Sequence, residues 1–315
     1  QMSDRSFVVT ASYDQTIRLF DMGRGKMISS IPYKDSQVNT LALTETGTQL
    51  GVGGWQKVSV MDMETLSAIP LAVSDQFTRN VTCVGFHTDG RWMYTGGEDN
   101  SCKVFDTRGM QLYCNRLVNT SGPVQSVSVH PNQVELFISD TNGQLVCWDL
   151  KASAHELVPC SLSTADFVTS LSVNPEGTTL AGVTCQGYLL RWNLIVGEGE
   201  PTESPLVGSR FVPPTPIPLM PSYGLCCRFS PDGRWLLCVD AGETCRVLNG
   251  YSLEEEQVLS CSPWTCNALF SSDSSKVLIG GEKVVQLVDV CNSRPLVHYE
   301  GHSKPVTALT SYDPF

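Results

Sequence analysis

The chain is short of the features that usually announce a function. Its 21 lysines and arginines are outnumbered by 32 aspartates and glutamates, for a net charge of −11, and they are scattered. Nucleic acid needs clustered cations to neutralise its phosphates, so no nucleic-acid partner is expected. The same deficit argues against anionic membrane surfaces. No apolar run approaches the roughly 20 residues of a spanning helix, so no direct membrane insertion is expected. No signal-peptide pattern opens the 315 residues. Cys-x-x-Cys pairs are missing despite 13 cysteines. Scattered thiols such as Cys83, Cys102, Cys114, Cys147 and Cys185 read as small buried hydrophobes in a reducing, cytoplasmic compartment. A zinc site or a disulfide scaffold is the alternative. Cys226 and Cys227 are adjacent on a predicted strand and point to opposite faces. There is no phosphate-loop glycine pattern and no Gly-x-Ser-x-Gly elbow. The expectation is a protein that is not an enzyme and carries no cofactor or metal.

What the chain does have is rhythm. Val81 to Phe86 is a short apolar run closed by Asp89-Gly90. Trp92 to Thr95 is a second run, closed by residues 96–100, and Cys102 to Phe105 a third, stopping at Asp106. That is strand, turn, strand, turn, strand, too little to bury its own faces. The ending recurs at Phe20-Asp21, Met61-Asp62, Phe105-Asp106, Trp148-Asp149, Trp192-Asn193, Leu248-Asn249 and Val288-Asp289, at intervals of about 41, 44, 43, 44, 56 and 40 residues. Periods of this length with several short strands each predict an all-β, seven-bladed WD-type β-propeller, one unit over 1–315. Residues 1–6 read as a flexible leader. The first blade lacks an opening strand, and Val306 to Thr310, introduced by Gly301-His302, supplies it. The C-terminal strand therefore pairs with the N-terminal blade and closes the ring, which leaves no open sheet edges.

The one long interval contains 197–201, read as a mobile loop, and the proline-rich stretch 213–221. That stretch is read as a stiff connector between blades, with a proline-rich ligand as the alternative.

Seven residues stand just before the inner strands: Gln37, Asn80, Pro123, Phe167, Tyr223, Trp264 and Pro305. Three successive blades thus put Phe167, Tyr223 and Trp264 around one rim, and Trp55 extends the same face. A contiguous apolar patch of this kind marks a binding surface. The opposing possibility is that some of these rings fold inward over the channel. His87 and His130 follow matching strands at equivalent turns, which argues against a metal held between them.

Within the WD-repeat family the resemblance implies a buried hydrogen-bonded set in each blade. Its members in the closing blade are His302, Thr10 or Ser12, and Asp14, with Phe20 where the family has Trp. The segments Asp35-Ser-Gln-Val-Asn39, 84–99, His130-Pro-Asn-Gln-Val-Glu135 and Cys227-Arg-Phe-Ser-Pro-Asp232 narrow the likeness. They resemble the small WD-repeat subunit of TOR kinase complexes, the "lethal with Sec thirteen, eight" or G-protein β-subunit-like family. The resemblance implies a non-catalytic scaffold that binds and stabilises the kinase catalytic domain through one propeller face, beside other TOR-complex subunits. Nothing in the sequence gives evidence for a homo-oligomer. The partner-binding residues it suggests, with the strand alignment, are Gln37, Asn39, Trp55, Asn80, Phe167, Tyr223 and Trp264. The implied location is cytoplasmic, with peripheral recruitment to lysosomal or vacuolar membranes through the complex. This chain departs from the family at Ser260-Cys-Ser-Pro-Trp264, a shorter lead into the last full blade, and at Gly280-Gly-Glu-Lys283. The alternative function is a generic WD-repeat adaptor, such as a ubiquitin-ligase substrate receptor or a signalling scaffold.

Overall fold

The computed structural model describes residues 5–34, 36–194, 211–262, 265 and 267–314. The described strands form seven four-stranded sheets, arranged as the blades of a propeller. Inner strands lie at Val38–Leu43, Val81–Phe86, Val124–Val129, Val168–Val173, Gly224–Phe229 and Asn267–Phe270 in blades 2 to 7. Five of these begin at the residue the repeat alignment marked. In blade 7 the strand begins two residues after Thr265.

Blade 1 is assembled from both ends of the chain, in the order Val306–Tyr312, Phe7–Ser12, Thr16–Asp21, Met27–Pro32. Val8 pairs with Ser311 and Val9 with Thr310. The expected closure is present. Of the residues read as a leader, 1–4 lie outside the described residues. Ser6 is tied down: its hydroxyl donates to Asp313 at 2.6 Å and its carbonyl accepts the Met22 N–H.

Among the described residues the buried apolar side chains fall into seven clusters, one at each seam between neighbouring blades. Strand alternation explains this. Phe7, Val9 and Ala11 pack toward blade 2, while Val8, pointing the other way, packs toward blade 7. Full burial of each such side chain contributes about 1.5–3 kcal/mol. A blade is therefore held by its two neighbours more than by itself.

The six turns between inner and second strands in blades 2 to 7 share one design. The fourth residue, Gly47, Gly90, Gln133, Gly177, Gly233 or Ser274, has positive φ and donates its N–H to the carbonyl of the first. Where the first residue is His87 or His130, the ring Nδ1 accepts the N–H two residues on, at 3.1 Å. These imidazoles hold turns.

The proline-rich stretch departs from its reading as a connector. Ile217–Pro218 is the outer strand of blade 5, pairing with Leu189 and Tyr188. Proline is tolerated at a sheet edge because its missing N–H would face away from the sheet. The loop read at 197–201 lies outside the described residues.

Candidate functional site

The face where each outer strand crosses to the next inner strand carries most of the sequence-predicted residues. A repeated backbone bond defines it. The N–H groups of Tyr13, Glu98, Thr141, Cys185 and Ala241 donate to the carbonyls of Pro305, Asn80, Pro123, Phe167 and Tyr223, at 2.9–3.2 Å. Asn80, Phe167 and Tyr223 therefore occupy equivalent places on this crossover face. Blade 2 differs, because Ser36 intervenes. Its hydroxyl donates to the Gln37 carbonyl at 2.6 Å and accepts the Trp55 N–H at 3.0 Å. Trp55 also bridges to Asn80 in blade 3.

Gln37 is exposed, Trp55 is 52% exposed and Tyr223 41%. Phe167 is half-buried. Trp264, placed in the same series by sequence, lies outside the described residues. The indole and phenol faces offered here are shallow and open, which suits a protein surface rather than a small molecule.

Asn39 and Asn80 are partly engaged within the chain. The Asn39 Nδ2 donates to Asn80 Oδ1, and Asn80 Nδ2 to Glu98 Oε2, each at 3.1 Å. This relay ties blade 2 to blade 3. Asn39 belongs to a second repeat as well. The second inner-strand residue reaches the first carbonyl of the next blade in four places: Thr307 to Val38 (2.6 Å), Asn39 to Val81 (3.4 Å), Thr82 to Val124 (2.9 Å) and Thr169 to Gly224 (2.7 Å). A register shift of one residue recurs at this point in the inner strands of blades 2 to 6. Such a bulge re-aims the extra side chain, here across the seam.

The hydrogen-bonded set of the closing blade is assembled around His302. Thr10 Oγ1 lies 2.8 Å from His302 Nε2, and His302 Nδ1 lies 3.0 Å from Asp14 Oδ2. Asp14 also accepts from the Thr16 hydroxyl (2.6 Å) and the N–H of Ser303 (3.0 Å). An ionised Asp14 can only accept, so the neutral ring donates from Nδ1 and Nε2 accepts the Thr10 hydroxyl. Burial lowers the His302 pKa below its ordinary value, against the opposing pull of Asp14. Burial acts to raise the Asp14 pKa, but the bonds from Thr16, His302 and Ser303 outweigh it and leave it at about 2. Ser12 stands outside the ring of contacts to His302. Its hydroxyl donates to the Lys304 carbonyl (2.8 Å) and accepts the Asp14 N–H (3.1 Å). Phe20, with no N–H to offer, packs edge-on against Tyr299 at 5.6 Å. The set holds a turn: the hydroxyl bonded to the imidazole Nε2, that of Thr10, is fully buried and offers no face to a substrate.

Blades without this histidine use other anchors. Asp140 accepts from Ser121, Gly122, Asn142 and Gln144, and Asp240 from Gly242, Thr244 and Arg246. His298 and His302 stand four residues apart, a metal-ligand spacing on a helix. Here His298 is exposed on an outer strand paired with Gln286, and His302 is buried. Among the described residues no group of three or more His, Cys, Asp or Glu could hold a metal ion, and the twelve described cysteines are free thiols.

Sequence alignment overlooked Tyr13. It follows the second strand of blade 1 as Trp55 follows that of blade 2, and it is 42% exposed on the same face. Aligning the residue after the second strand, as well as the one before the inner strand, would have found it.

The repeat family described as "WD domain, G-beta repeat" matches residues 2–21, 71–106 and 223–249. The Bos taurus protein named "Target of rapamycin complex subunit LST8" is 35% identical over 263 residues, covering 82% of this chain and 78% of its own length. The Drosophila pseudoobscura pseudoobscura "Protein LST8 homolog" is 30% identical over 315 residues, 99% of this chain and 98% of that one. The Schizosaccharomyces pombe "Target of rapamycin complex subunit wat1" is 30% identical over 243 residues, 76% and 73% of the two chains. With seven blades, WD repeats and relatives this similar along most of its length, the chain belongs to the LST8 family.

Proposed function

We propose that this protein is a non-catalytic subunit of a TOR kinase complex, and that it binds and stabilises the kinase catalytic domain through the crossover face. Two considerations support this reading. The relatives that cover most of the chain are named as target of rapamycin complex subunits. The crossover face exposes Gln37, Trp55 and Tyr223 at or beside equivalent blade positions, with Tyr13 near them in the repeat. The exposed aromatic set carries the argument, since Trp and Tyr are the side chains that most often dominate interface energy. In this reading the protein works in the cytoplasm and reaches lysosomal or vacuolar membranes only through its complex.

Affinity purification of the tagged chain with mass spectrometry tests the reading. A TOR-type kinase should be recovered in near-stoichiometric amount. Trp55→Ala with Tyr223→Ala, and separately Gln37→Ala with Trp264→Ala, should each lower recovery by about 30-fold or more, since a true hot spot is worth at least about 2 kcal/mol. Undiminished recovery with both double variants would show that the kinase docks elsewhere. Recovery of a ubiquitin-ligase core in place of the kinase would favour the adaptor alternative.

A further inference from the structure

The axial channel of the propeller encloses about 500 Å³ and is lined by the inner strands. In a chain of net charge −11, the described residues of its lining include no Asp, Glu, Lys or His, and Arg228 is the only charged one among them. Arg228 is the fifth residue of the blade 6 inner strand. The equivalent residues of blades 1 to 5 are Thr310, Ala42, Gly85, Ser128 and Ser172, all short, and that of blade 7 is Leu269, so the guanidinium borders the open channel with one large apolar neighbour. It is exposed to that space, and among the described residues it has no hydrogen-bond or ion-pair partner.

Hydroxyls line the channel at the same register level. Gly85 leaves a notch that Tyr94 fills: a Cβ there would fall 2.2 Å from the Tyr94 hydroxyl oxygen. Tyr94, on the second strand of blade 3, therefore presents its hydroxyl where Gly85 has no side chain. Ser128 and Ser172 accept the N–H groups of Val173 and Phe229 at 3.2 and 3.0 Å. Each hydroxyl hydrogen is left without an acceptor among the described residues, as is that of Tyr94. Burial pushes the Tyr94 hydroxyl far above its ordinary pKa, so it stays a donor. The Arg228 charge pulls it back in part, from three blades away around the ring.

We propose that this level of the channel is a binding site for a phosphate group, held by the Arg228 guanidinium and the hydroxyls of Tyr94, Ser128 and Ser172. A guanidinium is a permanent multiple donor matched to tetrahedral oxyanions, and hydroxyl donors complete the shell of a group that only accepts. Uncharged walls leave its field uncancelled, which concentrates anions. The source of the phosphate is either the inorganic ion or a small phosphorylated metabolite, and the channel is wide enough for both.

Isothermal titration of the purified chain tests this, with inorganic phosphate and with glycerol phosphate, each at ionic strength held constant by chloride. Saturable one-to-one binding is expected. Arg228→Gln should weaken it about tenfold or more, Tyr94→Phe by about fivefold, and Arg228→Lys should fall between wild type and Arg228→Gln. Equal affinity for the two probes identifies the free ion as sufficient; tighter glycerol phosphate points to a phosphorylated metabolite. Absence of saturable heat with both probes overturns the proposal. So does unchanged binding by Arg228→Gln, which would place the anion elsewhere. Circular dichroism of each variant, expected to match wild type because Arg228 faces open channel, separates lost binding from lost fold.

Discussion

The turns that follow the second strands of blades 1 and 4 are fastened by an aspartate in both cases, but the partners come from different distances. Asp140 takes its bonds from residues within 19 positions in sequence. Asp14 takes local bonds from Thr16 on one oxygen, but its other oxygen is held by His302 and Ser303, 288 and 289 positions away. The first latch can form as soon as blade 4 does. The distant half of the second can form only when the two ends of the chain meet, after the entropy of closing the ring has been lost. A local latch shapes a turn; the distant one also joins the first blade to its borrowed strand.

The comparison can be broken most severely by removing the borrowed strand. A chain ending at Glu300 loses Val306–Tyr312 and His302 together, and bares Val8, Val9 and the edge of Phe7–Ser12. It should give no soluble folded protein by circular dichroism, whereas a chain ending at Asp313 should fold. Next in size, Asp14→Ala and Asp140→Ala each orphan several donors, and each should lower the unfolding free energy by about 3 kcal/mol in urea. A much smaller loss for Asp14→Ala would mean that ring closure does not depend on its latch.

Acid should separate the two latches, because only that of blade 1 contains an imidazole. His302 is held neutral with its pKa below the ordinary 6.5. As pH falls through 6.5 the unfolded chain binds a proton that the folded one refuses, so stability falls and then levels below the folded pKa. Asp14 adds a second loss at lower pH. Its depressed pKa contributes stability fully above 3.8, and that stability disappears as pH falls through about 2. Urea midpoints measured between pH 7 and 5 should decline for the wild type, and His302→Gln should flatten that decline. Smallest of all, Trp55→Ala and Tyr223→Ala should change stability by less than about 0.5 kcal/mol, because both rings are open to solvent. Their effect should be confined to binding.

Much of the architecture was readable because the repeat is local. Val38, Val81, Val124, Val168, Gly224 and Val306 each follow a loop and open an apolar run, and each begins an inner strand. The outer strand at Ile217–Pro218 was misread because a proline run carries no strand pattern; only its neighbour, Tyr188–Asn193, makes it a strand. On the crossover face, alignment could order Gln37, Asn80, Phe167 and Tyr223. It could not show that Asn39 and Asn80 bond each other, or that Ser36 replaces the usual carbonyl in blade 2.

Period and composition by themselves determined the blade number, the closure through Val306, and the absence of a cation cluster. Those properties follow from spacing and from what each short run can bury. Which side chains share one level of the channel was decided only by the packed ring. Gly85 and Tyr94 meet through strand pairing, and Arg228 lines the same channel from a blade more than a hundred residues downstream. The register between blades, set by the seam clusters and the recurring bulge, brings such residues together, and no local pattern in the chain encodes it.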